Sequence, residues 1–429
     1  MLAAEPRGSH PIATGSRPAR DTGATGTPPT PRGAELTAAR RLPQPAASYY
    51  GWMKRIGFLS FGHWQPAPGS MTRTASDAFL QTIELAVAVE QMGLDGAFVR
   101  VHHFARQLSS PFPLLAAIAA RTNRIEIGTA VIDMRYENPL YMAEDAASAD
   151  LISGGRLQLG ISRGSPEPAL RGSESFGYVP AENETDADLA RSHTTLFRAA
   201  IEGAGVALAD TRMTGSTGTL AIQPQSPGLA ERIWWGAGTR KTAVWTAEQG
   251  MSLMSSTLLT EDTGVPFDEL QAEQIALYRA AWEQAGWERE PRISVSRSVL
   301  PIVSDIDRMY FGDRSGRDGA DQVGYLDGAL ARFGKSYIGE PDVIAEELSR
   351  DAAVDAADTL LLTVPNQLGV EYNARLLETV ARQIAPAIGW QPATDTAPAN
   401  GRSPGEGAGI PASGEQQARV ASGPGRPAS

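Results

Sequence analysis

Short apolar runs alternate along the chain with longer segments in which apolar residues recur at helical spacing. Residues 55–61 (RIGFLSF) form the first run, and residues 75–92 follow, with Ile83 and Val87 one helical turn apart and Gly93 as a stop. This pairing of a short apolar run with a helical segment recurs along the chain. The apolar runs predict eight strands: Arg55–Phe61, Gly96–Val101, Ile125–Ile132, Arg156–Ser162, Ile233–Gly236, Met251–Ser255, Arg292–Val303 and Thr359–Val364. The periodic segments predict the helices Ala75–Met92, Phe112–Ala120, Pro139–Leu151, Asp186–Ala200, Lys241–Gln249, Asp268–Ala285, Pro341–Arg350 and Glu371–Ile384.

Eight alternating strand and helix patterns are typical of an α/β fold. They predict a closed (β/α)₈ TIM barrel with insertion loops, and a doubly wound open sheet is the alternative. Three stretches are longer than ordinary barrel loops: Gly164–Thr185, Gly205–Gly228 and Ser304–Lys335. Long loops in a compact domain are usually functional, so the first and third are candidate lids over a site.

The two ends of the chain differ in composition from the middle. Residues 1–52 and 391–429 are rich in glycine and proline, and no aromatic residue precedes Tyr49. Such segments bury too little apolar surface to offset the entropy of ordering, so both are predicted to be disordered tails around one barrel at 53–390. We also hypothesise that Met53 is the native start and that 1–52 is an upstream extension.

Composition removes several classes of function. The 429 residues carry a formal net charge of −11, and the predicted barrel segment holds 29 basic and 43 acidic side chains. This balance argues against a nucleic-acid partner, which would need clustered Lys and Arg. The absence of cysteine excludes disulfides, thiolate catalysis and cysteine-ligated metals, and it fits a cytoplasmic protein. No apolar run approaches the roughly 20 residues of a membrane span, and the first residues lack the apolar core of a secretory signal.

The ends of the predicted strands are where a barrel carries its chemistry. The second strand runs into His102 and His103, and at most one of the two imidazoles can face the barrel mouth, because neighbouring residues in a strand point to opposite sides. One reading is a general base or polarising group, and the other is a pair of structural histidines. The chain has five histidines and no HxH or HExxH spacing, which disfavours a metal site.

The third predicted strand ends in small residues, and the fourth ends next to a cation. Gly128–Val131 would let a flat ligand approach the backbone, although simple barrel packing explains these residues equally well. The fourth strand ends at Ser162, Arg163 and Gly164, and the guanidinium suits bidentate binding of an anion such as a phosphate. The alternative is a salt bridge from Arg163 to a carboxylate of the preceding helix, Asp145 or Asp150.

The fifth strand leads into GAGTRKT at residues 236–242, which opens a helix. Free N–H groups, a flexible glycine, hydroxyls and two cations together predict an anion cradle. The segment is not a P-loop, because the glycine before the lysine is missing. It is not a GxGxxG turn either, because Lys241 occupies the last glycine position. Simple N-capping of the helix by Thr239 is the alternative.

Together these four sites resemble the bacterial luciferase-like family of flavin-dependent oxidoreductases. The resemblance covers residues 53–260, and four motifs in the right order and spacing make it specific. The matching segments are His102–Phe104, Gly128–Ile132, Asn138–Leu140, Ala143–Asp145, Leu151–Leu157, Gly160–Gly164 and Trp234–Arg240. The resemblance implies a (β/α)₈ barrel, in agreement with the alternating pattern.

The resemblance also implies roles for individual residues. His102 matches the family's active-site histidine beside the flavin, and Ala130-Val131 matches a non-proline cis peptide that supports the isoalloxazine ring. Arg163, flanked by Ser162 and Gly164, matches the arginine near the flavin phosphate. The phosphate-binding turn corresponds to Gly238, Thr239 and Thr242, with Arg240 close enough to assist. One departure is Val101, where the family often has an acidic residue.

The activity implied is a monooxygenase reaction in which reduced FMN, supplied by a separate flavin reductase, reacts with O₂ to give a peroxyflavin that attacks a small organic substrate. The sequence has no evident NAD(P)H fingerprint, which favours the two-component arrangement. His102 would stabilise or protonate the peroxyflavin. Candidate substrate-pocket residues at the ends of the first and third strands are Trp64, Met134, Arg135 and Tyr136.

Two other functions remain open at this stage. The deazaflavin F420 could replace FMN in a hydride-transfer oxidoreductase of the same superfold, because the phosphate-binding features suit either cofactor. The chain could also be a flavin-binding protein without turnover. A metal-dependent hydrolase is disfavoured by the histidine inventory. The oligomeric state stays open: family members often form dimers through the barrel helices, so a homodimer is one alternative, but the sequence does not locate the contact surface.

Overall fold

The computed structural model describes residues 54–164, 167–261, 264–326 and 329–393. The predicted tail at 1–52, the hypothesised start at Met53 and all but three residues of the predicted tail at 391–429 lie outside this part of the chain.

Eight parallel strands form a closed barrel. Each strand pairs with the next one in chain order, and the eighth pairs with the first, which closes the sheet. The closure confirms the predicted TIM barrel and rules out the open sheet. The barrel strands are Arg55–Ser60, Gly96–Val99, Glu126–Asp133, Leu157–Ser162, Ile233–Ala237, Ser252–Ser255, Ile293–Pro301 and Thr359–Thr363.

Helices follow the strands and cover the outside of the barrel. Local sequence explains their ends: Thr74 and Asp77 form a reciprocal capping box, and Asn138 accepts from the first free N–H groups of the helix that begins at Pro139. Gly154 ends that helix in the left-handed conformation. The main helices are Ala75–Gln91, Pro111–Arg121, Pro139–Ser153, Asp186–Ile201, Arg240–Glu248, Phe267–Ala285, Pro341–Ser349 and Gly369–Thr379. No helix in the described ranges is both long and apolar enough to cross a bilayer.

The barrel has two apolar layers, because neighbouring strand residues point to opposite sides. Phe58 belongs to the large outer core between strands and helices, whereas Leu59 belongs to a small inner cluster. Six buried side chains from six different strands make up this inner cluster: Leu59, Phe98, Ala130, Trp234, Met254 and Leu361. The inner cluster fills the barrel and forms an apolar floor below its mouth.

The long stretches predicted as loops contain short elements of their own. In the second stretch, the antiparallel strands Gly205–Leu208 and Thr219–Ala221 flank a turn of helix at Thr211–Thr214. In the third, Gln322–Leu326 and Ala329–Phe333 form an antiparallel pair that also pairs with Leu258–Leu259. The remaining short elements are strand Ser336–Gly339, α-helices Asp305–Phe311, Ser315–Asp318 and Ala352–Ala356, 3₁₀-helices Gly172–Phe176, Leu229–Arg232, Gly312–Arg314, Asn366–Leu368 and Ala385–Ile388, and π-helix Val380–Ile384.

Candidate active site

A cavity of about 440 Å³ opens at the carboxyl-terminal mouth of the barrel, and each of the eight strands or the loop after it contributes to its wall. This size lies within the usual range of ligand pockets, roughly 300–1,000 Å³. The cavity brings together most of the residues singled out as cofactor-binding candidates. Eight of the nine line it: Ala130, Val131, Ser162, Arg163, Gly164, Gly238, Thr239 and Thr242.

The ends of the third, fourth and fifth strands meet closely on one side of the cavity. The peptide bond between Ala130 and Val131 is cis, as the family resemblance implies. A Cβ atom added to Gly236 would lie 3.2 Å from Val131 Cγ1 and 3.3 Å from Ser162 Cβ. Glycine at 236 therefore lets the fifth strand approach the ends of the third and fourth strands closely.

The turn after the fifth strand is held from two sides. Thr239 caps the following helix: its Oγ1 accepts from the Thr242 N–H at 3.1 Å and lies 2.9 Å from Thr242 Oγ1. On the opposite side, buried Gln274 donates its Nε2 hydrogens to the carbonyls of Ala237 at 3.2 Å and Thr239 at 3.0 Å. The N-capping considered from sequence is therefore present, and the same two threonines also line the cavity.

Two guanidinium groups flank this turn. Arg163 is exposed, lines the cavity and forms no ion pair within the described ranges, so the salt bridge considered from sequence is not formed. One of the two suggested partners, Asp150, is fully buried and pairs with Arg232, whose Nη2 lies 2.6 Å from Asp150 Oδ2. The second guanidinium, Arg191, stacks on the ring of Trp245 at 5.4 Å, in the helix that the turn opens.

His102 is part of a hydrogen-bonded chain that ends at the cavity. Arg100 lines the cavity, and its Nε–H donates to His102 Nε2 at 3.2 Å. The other ring nitrogen, His102 Nδ1, lies 2.9 Å from Glu167 Oε1. A guanidinium can only donate, so Nε2 is the acceptor and Nδ1 carries the proton that goes to Glu167. His102 itself does not line the cavity.

Comparison with known proteins identifies the family. The luciferase-like monooxygenase family model matches residues 55–308, which is more than half of the chain. The chain belongs to the luciferase-like monooxygenase family.

Three curated relatives match shorter stretches of the chain. The 4-hydroxyprotoasukamycin monooxygenase of Streptomyces nodosus subsp. asukaensis is 39% identical over 109 residues, 25% of this chain and 29% of that protein. The oxygenase component of the flavin-dependent trigonelline monooxygenase of Acinetobacter baylyi is 31% identical over 94 residues, 21% of this chain and 26% of that protein. The F420-dependent glucose-6-phosphate dehydrogenase of Amycolatopsis mediterranei is 35% identical over 100 residues, 21% of this chain and 30% of that protein. The matched part therefore spans less than a third of each of these relatives.

Solved structures share the fold over nearly their whole length. The monooxygenase RslO1 of Streptomyces bottropensis superposes with a TM-score of 0.58 at 20% identity, covering 77% of this chain and 99% of that one. The oxygenating constituent of 3,6-diketocamphane monooxygenase of Pseudomonas putida, solved in complex with FMN, has a TM-score of 0.57 at 16% identity, covering 78% and 99%. At these identities the likeness establishes the barrel fold.

His103 lies on the other side of the strand end from His102. It is buried and stacks on the ring of Tyr136, with centroids 4.3 Å apart and an angle of 14° between the planes. Burial lowers the pKa of His103, so its imidazole is neutral near pH 7. In this member of the luciferase-like family, His103 and Tyr136 therefore form part of an aromatic cluster away from the cavity wall.

The predicted substrate-pocket residues lie elsewhere in the fold. Met134 is fully buried in the outer core, and Tyr136 packs on His103. Arg135 donates from Nε and Nη2 to the carboxylate of Asp133, and its Nη1 reaches a second carboxylate. Trp64 packs partly buried against the outer core. None of Trp64, Met134, Arg135 and Tyr136 lines the cavity, whose wall is completed by residues of the sixth, seventh and eighth strands.

Arg240 is the one predicted cofactor residue outside the cavity wall. Its Nε lies 3.2 Å from Glu261 Oε2, and its Nη1 lies 2.8 Å from Glu273 Oε2. The guanidinium is held by these two carboxylates, which compensate its charge. The sequence motif locates Arg240 at the start of the helix after the fifth strand, but its side chain faces Glu261 and Glu273.

Three residues were not predicted from the sequence: Arg100 and Arg191, which line the cavity, and Glu167, which contacts His102. Arg100 had a usable signal, since it directly follows the second strand at the catalytic end of a barrel. Arg191 had a weaker one, as a cation on a helix behind a candidate phosphate site. Glu167 had none, because it lies in a long loop, 65 positions from His102.

Proposed function

We propose that this luciferase-like protein is the oxygenase of a two-component system that uses reduced FMN and O₂ to oxidise a small organic substrate. One oxygen atom enters the substrate and the other leaves as water, with reduced FMN supplying the electrons. The observation that carries this proposal is a single cavity that joins a turn suited to phosphate with an apolar floor suited to a flat ring. Bound reduced flavin would supply the oxygen chemistry, and the protein would supply orientation and shielding.

The phosphate end of FMN would bind at the turn after the fifth strand. Thr239 and Thr242 present hydroxyl groups there, and the helix they open adds its positive dipole end. Arg163 and Arg191 line the same cavity. Arg163 forms no ion pair within the described ranges, whereas Arg191 Nη1 lies 3.7 Å from Asp188 Oδ1. Gly238 leaves space for a bulky anion, since a Cβ atom there would meet nothing closer than 3.7 Å.

The ring end would rest on the inner cluster of the barrel. Leu59, Ala130, Met254 and Leu361 all belong to this cluster and all line the cavity, and Val131 packs against it. An apolar floor excludes water and strengthens polar interactions at the mouth. The residues present therefore fit a flavin nucleotide at both ends.

The proposed role of His102 follows from its place behind Arg100. Because Arg100 stands between His102 and the cavity, His102 would hold the guanidinium in position and accept a hydrogen bond from it, with its own proton held at Nδ1 by Glu167. In this arrangement His102 is a positioning residue, and contact with the substrate would require a change in the loop that carries Glu167.

A separate flavin reductase is the proposed partner. The sequence has no evident NAD(P)H fingerprint, and one relative is named as the oxygenase component of a flavin-dependent monooxygenase. A homodimer also stays a prediction.

The test is reconstitution of the full chain with FMN and, separately, with F420. We expect reduced FMN to bind under anaerobic conditions and the complex to consume O₂ when it is then mixed with aerated buffer. Arg163→Met should weaken FMN binding about tenfold or more, because a charge-assisted contact is lost. Arg171→Met is the matched control, because this exposed arginine on the following loop pairs with Glu174 outside the cavity. Equal affinities for Arg163→Met and wild type would remove the phosphate assignment.

F420-dependent hydride transfer is the second candidate, because one relative is an F420-dependent dehydrogenase and the phosphate-binding features suit both cofactors. Tight binding of F420 with no binding of FMN would establish that alternative. Binding of FMN without any oxygen uptake by the reduced complex would instead indicate a flavin-binding protein without turnover.

A further inference from the structure

Serine occupies two successive inward positions on the seventh barrel strand, Ile293–Pro301. Ser294 pairs with Met254 of the sixth strand, and Ser296 pairs with Leu361 of the eighth. Residues paired across neighbouring strands point to the same side of a sheet, and Met254 and Leu361 both belong to the inner cluster. The two serine side chains therefore point into the barrel, beside the apolar floor of the cavity.

The hydroxyl groups of these serines are available to a ligand. Val295, which lies between them, packs in the outer core, as the alternation of a strand requires. Ser294 is only 2% exposed, and both serines line the cavity. Within the described ranges, neither Ser294 Oγ nor Ser296 Oγ has a hydrogen-bond partner. Burying a hydroxyl without a partner costs free energy, and a ligand in the cavity would supply the missing bond.

Other hydroxyl groups at this end of the barrel are already used by the protein. Ser298, the next inward serine of the seventh strand, has its Oγ 2.7 Å from Thr363 Oγ1, and it does not line the cavity. Ser162 Oγ accepts from a backbone N–H at 2.7 Å. Ser294 and Ser296 differ from both, because the donor and acceptor capacity of their hydroxyls is left for the cavity.

A flavin ring has two chemically different edges. One edge carries two methyl groups, and the other carries two carbonyl groups with an N–H between them. The floor side chains Leu59, Met254 and Leu361 accommodate a flat face but offer no hydrogen bond to either edge. A serine hydroxyl can donate to a carbonyl oxygen and accept from an N–H. The wall at the seventh strand therefore matches the carbonyl-bearing edge, which is also uncharged and needs no cation.

We propose that Ser294 and Ser296 bind the carbonyl-bearing edge of the cofactor's ring and so fix which way the ring lies on the floor. This assignment rests on the proposed function, in which the phosphate binds at the turn after the fifth strand and the ring lies on the inner cluster. The methyl-bearing edge then faces away from the seventh strand. The deazaflavin ring of F420 has the same carbonyl-bearing edge, so the assignment is the same for either cofactor.

The test uses FMN labelled with carbon-13 at both ring carbonyls, bound to the full chain and measured by carbon NMR and by titration. Ser294→Ala and Ser296→Ala each remove a hydroxyl at nearly constant size. Each should move the signal of at least one ring carbonyl and weaken FMN binding about twofold to tenfold, the range for loss of one neutral hydrogen bond. A loss of stability alone would not move these signals.

Ser298→Ala is the matched control, because it removes a serine hydroxyl from the same strand away from the cavity wall. It should leave the carbonyl signals and the FMN affinity as they are in the wild-type protein.

Three results would overturn the assignment. The first is carbonyl signals that stay at their wild-type positions in both cavity variants, and the second is an equal change in Ser298→Ala. The third needs no variant: wild-type signals at the positions of a flavin in an apolar solvent would mean that neither carbonyl is hydrogen-bonded. Failure of FMN to bind the wild-type protein would remove the proposed function and this assignment together, whereas binding with unchanged signals would remove only the assignment of the two serines.

Discussion

Glu167 Oε1 lies 2.9 Å from His102 Nδ1, and the two residues come from different loops of the barrel mouth. The sequence has Val101 at the position where luciferase-like proteins often carry an acid beside this histidine. Here the carboxylate comes instead from the loop after the fourth strand, and its side chain is only 3% exposed. The tautomer of His102 is therefore set by a residue that no local motif contains.

Removing this carboxylate should change the tautomer of His102. In Glu167→Ala, Nδ1 loses its acceptor, and we expect the imidazole to populate both tautomers or to rotate away from Arg100. Glu167→Gln keeps an acceptor oxygen and should preserve the Nδ1–H form. Nitrogen NMR of the histidine rings measures this directly.

The matched control is Glu174→Gln on the same loop, because Glu174 pairs with Arg171 and not with the barrel. If the His102 signals of Glu167→Ala equal those of the wild-type protein, Glu167 does not position the ring. We also expect Glu167→Ala to lower the free energy of unfolding by about 1–3 kcal/mol, since it leaves a buried donor unsatisfied.

Gly164 should be intolerant of a side chain. Its φ is +87°, and an added Cβ atom would lie 1.9 Å from Asp133 Oδ2. Gly164→Ala should therefore displace Asp133, lower the free energy of unfolding by roughly 3 kcal/mol and weaken cofactor binding.

Gly177 is the matched control because it lies on the same loop with φ +89° and has no atom within 4 Å of an added Cβ. Gly177→Ala should lower the free energy of unfolding by only about 1–2 kcal/mol, the cost of the left-handed conformation. Denaturant titration of both variants compares them, and equal losses would show that the contact with Asp133 is unimportant.

The barrel could be predicted because its signals are local. All eight predicted strands form. Each is a short apolar run, such as GTAVI at 128–132, and such runs are typical of parallel strands that are buried on both faces. Motifs at strand ends also located Ser162, Thr239 and Thr242 on one cavity. The direction of a long side chain was not predictable: Arg240 follows the same motif but faces Glu261 and Glu273, because those carboxylates arrive from later parts of the chain.

The polar contacts between distant segments could not be predicted from the sequence either. Glu167 reaches His102 only because the loop after the fourth strand folds back over the barrel mouth. Likewise, Gln274 supports the turn after the fifth strand from a helix that follows the sixth strand. In the sequence it is recognisable only as a polar residue of a helix. Such contacts depend on tertiary packing between distant segments, which periodicity and spacing do not encode.

Asp150 should contribute strongly to stability without contacting the cavity. Its carboxylate is fully buried, pairs with Arg232, and accepts from Ser226 Oγ at 2.6 Å and from the Leu157 N–H at 3.1 Å. Asp150→Ala leaves the Arg232 charge without its partner, so we expect a loss of about 3–5 kcal/mol in the free energy of unfolding. Asp145→Ala, an exposed site on the same helix, should change it by about 0.5 kcal/mol or less. Thermal unfolding checks both, and similar midpoints for the two variants would contradict the prediction.

Glu137 should make stability depend on pH. Burial, followed by the charges of Asp133 and Asp145, raises the pKa of Glu137 from 4.5 to about 7 in the folded protein. The folded state thus binds this proton more tightly than the unfolded chain, so the carboxyl lowers stability progressively as pH rises from about 4.5 to 7. Above that range the cost reaches at most about 3 kcal/mol.

Glu137→Gln removes this titration and should therefore be more stable than the wild-type protein at about pH 8, with the difference shrinking toward about pH 5. Urea unfolding at both pH values measures the difference between variant and wild type, which cancels the other titrating groups. A difference between Glu137→Gln and wild type that is the same at both pH values would mean that Glu137 titrates alike in the folded and unfolded states.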